Sequence, residues 1–251
     1  MLDIDVVPGP RERIGAAIGR AWAPAVAALS TARRARMFHP EGVTFAGHAY
    51  AVGGPFADLG DALSGRVLAR LSPALWRGGF EHLDVLGLAL RFRSGRGPAL
   101  DHRAAPGDTD LLTATIRSPL TMLLSPLFTD ASDFVGNRYW AVSPFAVFGA
   151  RVELRLVPVH PPALRGTRLE RLRAAVEVGR VAWWLEARRT LHLRTHRVAV
   201  IELEREVDVD QRALCFDPFR GVLRPVGLVH AIRRATYAAS QRARTQYEPV
   251  A

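Results

Sequence analysis

Arg233, Tyr237, Ser240 and Arg244 are spaced by four, three and four residues near the C-terminus. On a helix this spacing puts all four side chains within one arc of roughly 100°. The run from Val226 to Arg244 is rich in Ala and Arg, has no interior proline and follows Pro225, so a helix is expected. A free phenol has a pKa of about 10 and is a poor anionic ligand at neutral pH. A neighbouring guanidinium lowers that by about 1–3 units, and a bound trivalent metal ion completes the deprotonation. Arg233, one turn before Tyr237, is spaced to act as the charge partner, and Arg244, two turns after it, to clamp a carboxylate in bidentate fashion. Taken alone, the pattern is also that of a solvated basic surface.

Two further segments bear on the choice. Arg36-Met-Phe-His-Pro-Glu-Gly42, followed by Val43-Thr-Phe-Ala-Gly-His-Ala-Tyr50, resembles the distal motif of haem catalases, where an Arg precedes the catalytic His by three and a Gly follows it by three. Ala69-Arg-Leu-Ser72 and then Asp84-Val-Leu-Gly-Leu-Ala-Leu-Arg-Phe92 resemble the next catalase block. The C-terminal Arg-x-x-x-Tyr-x-x-Ser-x-x-x-Arg completes the set in the same chain order. The resemblance to the catalase-related haem family spans Arg36 to Arg244. Asp133–Phe145 and Leu214–Arg220 are closer to small bacterial catalase-like proteins than to full catalases.

The resemblance implies an α+β fold: an antiparallel β-barrel of about eight strands with flanking helices, binding haem b through its iron. It divides the chain into an N-terminal helical segment, 1–35, and a haem-binding barrel domain, 36–251, that ends in the proximal helix. Residue by residue, it implies His39 as the distal acid–base group, with Ser72 as its hydrogen-bond orienter. Tyr237 becomes the iron ligand, Arg233 its charge partner, and Arg36, Arg70 and Arg244 the propionate clamps, with Ser240 on the same haem-facing surface.

One departure limits the chemistry. Where catalases carry Asp-Leu-Val-Gly-Asn-Asn, this chain reads Asp110-Leu-Leu-Thr-Ala-Thr115, and neither Ala114 nor Thr115 offers a carboxamide. A His alone can move a proton between peroxide oxygens, but losing one charge-stabilising donor typically costs about 10²–10³ in rate. The expected activity is a peroxidase that reduces hydrogen peroxide or organic hydroperoxides with an unknown electron donor and has weak or no catalase turnover. The alternatives are a non-catalytic haem-binding or sensing protein and a haem-dependent hydroperoxide rearrangement.

Composition sets bounds on these readings. The 251 residues suffice for one sizeable core, and are fewer than the extra domains of large catalases require, so a more open haem is expected. All 34 basic Lys+Arg residues are arginine, and the formal net charge is +10. These arginines are scattered and no basic run interleaves with aromatics, so no nucleic-acid partner is expected. Cys215 is the only cysteine, compatible with a cytoplasmic location; within Leu-Cys-Phe it reads as a small buried residue. The apolar stretch Ile14–Leu29 is interrupted by Arg20 and Pro24, so it reads as a packing helix, not a transmembrane span. The sequence leaves a homo-oligomer open.

Strands are expected over 42–52, 67–71, 85–92, 111–116 and 152–157, with 197–206 alternating as a half-exposed strand. Residues 167–189 read as one amphipathic helix built on Leu169, Leu172, Val176, Trp183 and Leu185. His192 and His196, four apart at an expected helix-to-strand change, lack the context of a zinc site. His230, seven before Tyr237, is an alternative iron ligand or a surface residue. Asp108 and Asp110 read as a turn and a strand start.

Overall fold

The computed structural model describes residues 41–226 apart from 77–78, 94, 96–99 and 142–143. Alternating apolar positions give ten strands: β1 (Val43–Ala51), β2 (Gly65–Pro73), β3 (Leu86–Arg93), β4 (Thr109–Ala114), β5 (Tyr139–Trp140), β6 (Phe145–Val147), β7 (Ala150–Pro158), β8 (Ala182–Arg189), β9 (His196–Glu206) and β10 (Arg224–Pro225). Every pairing is antiparallel. Eight strands close in the order β7–β5–β4–β3–β2–β1–β9–β8 and back to β7, with β6 and β10 extending from β7. Among the described residues the helices are α1 (Ala57–Leu63), α2 (Ser125–Phe128), which continues a 3-10 turn over Pro119–Leu124, and α3 (Arg168–Glu177). The expected α+β class with an eight-stranded antiparallel barrel is therefore observed.

Closure requires the sheet to curl, and two register shifts help it do so: Ala46/Gly47 in the β1–β9 pair and Leu185/Glu186 in the β8–β9 pair. Gly47 is fixed by the first, because a Cβ there would stand 2.0 Å from the Glu202 carbonyl oxygen. The barrel interior is one apolar cluster containing Phe45, Val67, Ala69, Leu71, Leu88, Leu90, Leu111, Leu154 and Leu185. Tyr139 and Trp183 meet edge-on within it at 6.3 Å. Burial pushes the Tyr139 phenol well above its ordinary value, and its hydroxyl donates to the Phe134 carbonyl at 2.6 Å.

The single helix expected over 167–189 is two elements. Thr167 caps α3 reciprocally with Glu170, and the helix stops before Gly179, whose φ is +65°, the left-handed position that ends helices. Trp183, Leu185 and Ala187 then alternate inward along β8. Their two-residue spacing is a strand period; only Trp183, seven residues after Val176, also falls on the apolar face of the helix before it. His192 and His196 consequently lie at the β8–β9 turn and the first residue of β9, with no helix to align them.

Outside the barrel, residues 207–222 run as a strap across β1–β4. Leu214 and Phe216 pack on Leu68. The Arg91 guanidinium, fully buried, donates to both carboxylate oxygens of Asp110, Nε at 2.9 Å and Nη2 at 3.1 Å. It also donates to the Cys215 carbonyl and lies 5.0 Å from the Phe216 ring centroid. Asp110 Oδ2 further accepts from the Asp217 amide (2.8 Å) and from Arg220 Nη1 (2.7 Å). A second buried pair joins Arg93 to Asp108 at 2.7 and 2.8 Å. Asp108 and Asp110 are thus more than a turn and a strand start. Cys215 is only partly buried: its backbone carbonyl, rather than its side chain, is the group the strap uses.

Removing one partner of a buried pair strands the other charge, at a cost of about 3–5 kcal/mol. Asp110→Ala should lose that much in denaturant unfolding. Burial alone would raise the Asp108 pKa, but the Arg93 hydrogen bond and the Ala105 amide hold it below the ordinary value. A depressed folded pKa contributes stability above the unfolded pKa of about 3.9, and that stability is lost as pH falls through the folded value. Asp108→Asn should therefore be less stable at neutral pH and show a flatter decline below pH 4 than the parent.

Candidate functional site

Strand alternation sends Val67, Ala69 and Leu71 into the barrel and Leu68, Arg70 and Ser72 to its outer surface. Register then places the outward residues in rows. Arg70 stands between Thr44 on β1 and Ala89 on β3, with Leu112 next on β4. Ser72 stands beside Gly87, and Gly87 beside Ala114. The Ser72–Gly87–Ala114 row carries almost no side-chain bulk, so the sheet is flat there, with one hydroxyl at its edge and Gly87 buried. Arg70 and Ser72 are both nearly fully buried, at 5% and 3% exposure.

Arg70 is held from two sides. Its Nε donates to Gln211 Oε1 at 3.0 Å. Gln211 Nε2 donates to Thr44 Oγ1 at 3.1 Å, and the Thr44 hydroxyl donates to the Val207 carbonyl at 2.6 Å. On the other side the guanidinium lies across Gly42, where a Cβ would fall 2.5 Å from the guanidinium carbon. The glycine three residues after His39 thus has a local physical role, which is to let the Arg70 side chain lie flat on the backbone.

At the end of this surface Thr115 Oγ1 accepts from the Leu86 amide at 3.0 Å and bonds the Thr129 hydroxyl at 2.8 Å. Its oxygen accepts both bonds, joining the end of β4 to β3 and to the segment that follows α2, and alternation from Ala114 turns it to the other face of the sheet. Ala114 offers no polar group.

Of the expected site residues, Arg70 and Ser72 are on one face of β2. Arg36, His39, Arg233, Tyr237, Ser240 and Arg244 lie outside the described residues, as do His230 and the Ile14–Leu29 stretch. His48 is on the outer side of β1 and pairs with Glu204 at 2.6 Å. Among the described residues no cluster of three or more His, Cys, Asp or Glu side chains is placed to hold a metal ion, and no helix is long and apolar enough to cross a membrane. Gln211 was not anticipated from the sequence. It meets Arg70 across 141 residues, and no local spacing signals such a pair.

The residues present fit a planar group bearing carboxylates. They offer a flat, small-residue seat, a buried guanidinium in the adjoining row and a hydroxyl on the row itself. A planar macrocycle needs the first, its carboxylates the second.

The fold is similar to those of solved catalases. The chain aligns with a bacterial catalase at 14% identity and a TM-score of 0.56, over 85% of this chain and 57% of that one. It aligns with a fungal catalase at 12% identity and a TM-score of 0.57, over 88% and 62% respectively. It thus spans about three-fifths of their length. No protein-family model matches the sequence, and no curated protein matches it. The barrel is catalase-like.

Gly42→Val should push the Arg70 guanidinium off the backbone and cost about 1–3 kcal/mol, the usual cost of overpacking. In the Arg70→Ala background the same substitution should cost markedly less. A double-mutant cycle in denaturant checks this, with additive effects counting against the contact.

Proposed function

We propose that this chain binds haem b against the outer surface of its barrel and acts as a peroxidase toward hydrogen peroxide or organic hydroperoxides, with weak or no catalase turnover. The observation that carries the reading is the juxtaposition, on a catalase-like barrel, of buried Arg70 and Ser72 with the flat Gly87–Ala114 seat. When bound, the haem supplies the electrons that cleave the O–O bond.

The chain's own residues do the rest. Arg70, held by Gln211 and seated on Gly42, fixes one haem carboxylate; Arg36 and Arg244 are its counterparts elsewhere in the chain. Tyr237 is the iron ligand, and Arg233 favours its deprotonated form. The spacing of Ser240 from Tyr237 would put it on the same face of a helix. Ser72 orients His39, which takes a proton from one peroxide oxygen and returns it to the leaving oxygen. Ala114, beside Gly87 in the outward row, carries no polar group, and alternation turns Thr115 to the other face, so no second side-chain donor comes from this end of β4. That supports reduction by a separate electron donor over disproportionation, because the charge developing on the peroxide has one donor fewer. In this reading residues 1–35 form a helical segment and 36–251 the haem-binding domain.

A haem-binding or sensing role without turnover is the competing reading, favoured by the same absence of a donor at Ala114. Rapid mixing of the haem-loaded protein with peroxide, with and without a phenolic donor, separates the two. The proposal predicts donor oxidation that falls about 10²–10⁴-fold in His39→Ala with haem still bound. Tyr237→Phe should alter the ferric absorption spectrum. An unchanged spectrum in Tyr237→Phe would remove the ligand assignment, and donor oxidation indifferent to His39→Ala would remove the catalytic one.

A further inference from the structure

The end of the barrel at Pro73, Leu86 and Ala114 carries an apolar surface that the peroxide reading does not use. Two loops rise from it. The first joins β2 to β3 and is closed by the Ala74 amide on the Val85 carbonyl at 2.8 Å. The second follows β4 and is tied to the same strand end by the Thr115 amide on the Leu86 carbonyl at 2.9 Å. On the first, Leu75, Trp76, Phe80 and Leu83 are exposed; on the second, Met122, Leu123, Leu124, Leu127 and Phe128, with Leu123 at 87% and Phe128 at 82%. Contiguous exposure of this kind marks an interaction surface, unlike scattered apolar residues.

Its polar groups identify the occupant. Ser118–Thr129 contains no charged residue, and each of its hydroxyls is bonded internally. Thr121 donates to the Ser118 carbonyl (3.1 Å), and the Ser118 hydroxyl meets Thr121 Oγ1 (3.2 Å). Ser125 donates to the Thr121 carbonyl (2.9 Å), and Thr129 bonds the Ser125 carbonyl (2.9 Å). The Trp76 indole donates to the Leu83 carbonyl at 3.2 Å. A protein interface uses roughly one hydrogen bond per 100–200 Å², whereas hydrocarbon demands that polar groups be satisfied from within.

Charge points the same way. Every carboxylate of the two loops accepts from N–H groups: Glu81 from the Arg168 amide, Asp84 through Oδ1 alone from the Ala74, Leu75 and Val85 amides, Asp130 from Ser132, and Asp133 from the Val135 and Gly136 amides. Arg117 and Arg138, which bracket the second loop, are exposed, on a chain of formal net charge +10.

We propose that this end of the barrel docks on an anionic lipid bilayer. The exposed apolar side chains of the two loops, Trp76, Phe80, Leu123 and Phe128 foremost, enter the acyl boundary, and Arg117 and Arg138 lie at the headgroups.

The test is co-sedimentation of the full chain with phosphatidylcholine vesicles with and without phosphatidylglycerol. Binding should require the anionic lipid and weaken with salt. Leu123→Ser/Phe128→Ser should lower the partition coefficient by about tenfold or more. Leu191→Ser/Leu193→Ser should leave it unchanged; those residues are as exposed (97% and 93%) but lie in the β8–β9 turn at the opposite barrel end. Brominated lipid should quench parent fluorescence more than that of Trp76→Phe, a readout independent of the serine variants' folding. Vesicle binding that is absent, or equally reduced by both serine pairs, overturns the proposal. So does a dimer that Leu123→Ser/Phe128→Ser dissociates without any lipid binding, which would assign the surface to a second copy.

Discussion

The buried contact between Arg91 and Asp110 is the constraint on which the outer surface depends. Both side chains are sealed from solvent, and a desolvated pair of this kind adds little net stability compared with apolar residues of the same size. Its effect is specificity. Sliding β3 against β4 by one residue would send Arg91 or Asp110 into the apolar barrel interior without a partner. The pair therefore fixes the register that also sets Ser72, Gly87 and Ala114 side by side. The same carboxylate takes the Asp217 amide and Arg220, so it fixes the strap as well. The strap in turn carries Gln211 to Arg70.

The surface divides by charge and bulk along the strands. Toward one end lie the two ion-paired arginines of β3, locked by aspartates of β4 and of the turn before it. Toward the other lie Arg70, oriented by a neutral carboxamide and a glycine, and then the flat row. The first half holds the strap, and the second offers a shaped seat. Beyond the flat row come the two apolar loops, in which side-chain hydroxyls and, apart from Asp84 Oδ2, the acids bond within the fold. The barrel thereby presents, in sequence, a structural clamp, a candidate cofactor seat and a candidate lipid-facing rim.

The fold was legible in the sequence wherever two-residue alternation ran long enough, as along 43–51, 65–73 and 196–206. It failed at 182–189, where Trp183 falls on the helical period of the true helix before it and the two-residue step to Leu185 was passed over. Only the left-handed Gly179 separates the two. Arg70 and Ser72 were singled out through their resemblance to catalase blocks and not through chemistry of their own. The partners that give Arg70 its pose were not legible at all: Gln211 is 141 residues away, and Gly42 acts by lacking an atom. Asp110 was read as a strand start because charge alone does not say that a residue is buried; its pairing with Arg91 is visible only once β3 and β4 are in register.

The central claim, a haem seat on the outer surface of a catalase-like barrel, is tested most directly by titrating the purified chain with ferric haem and following the Soret absorption. The account predicts a saturable change at one haem per chain that is weakened in Arg70→Ala and in Gln211→Ala. A titration that never saturates, or one that saturates identically in all three proteins, would contradict it.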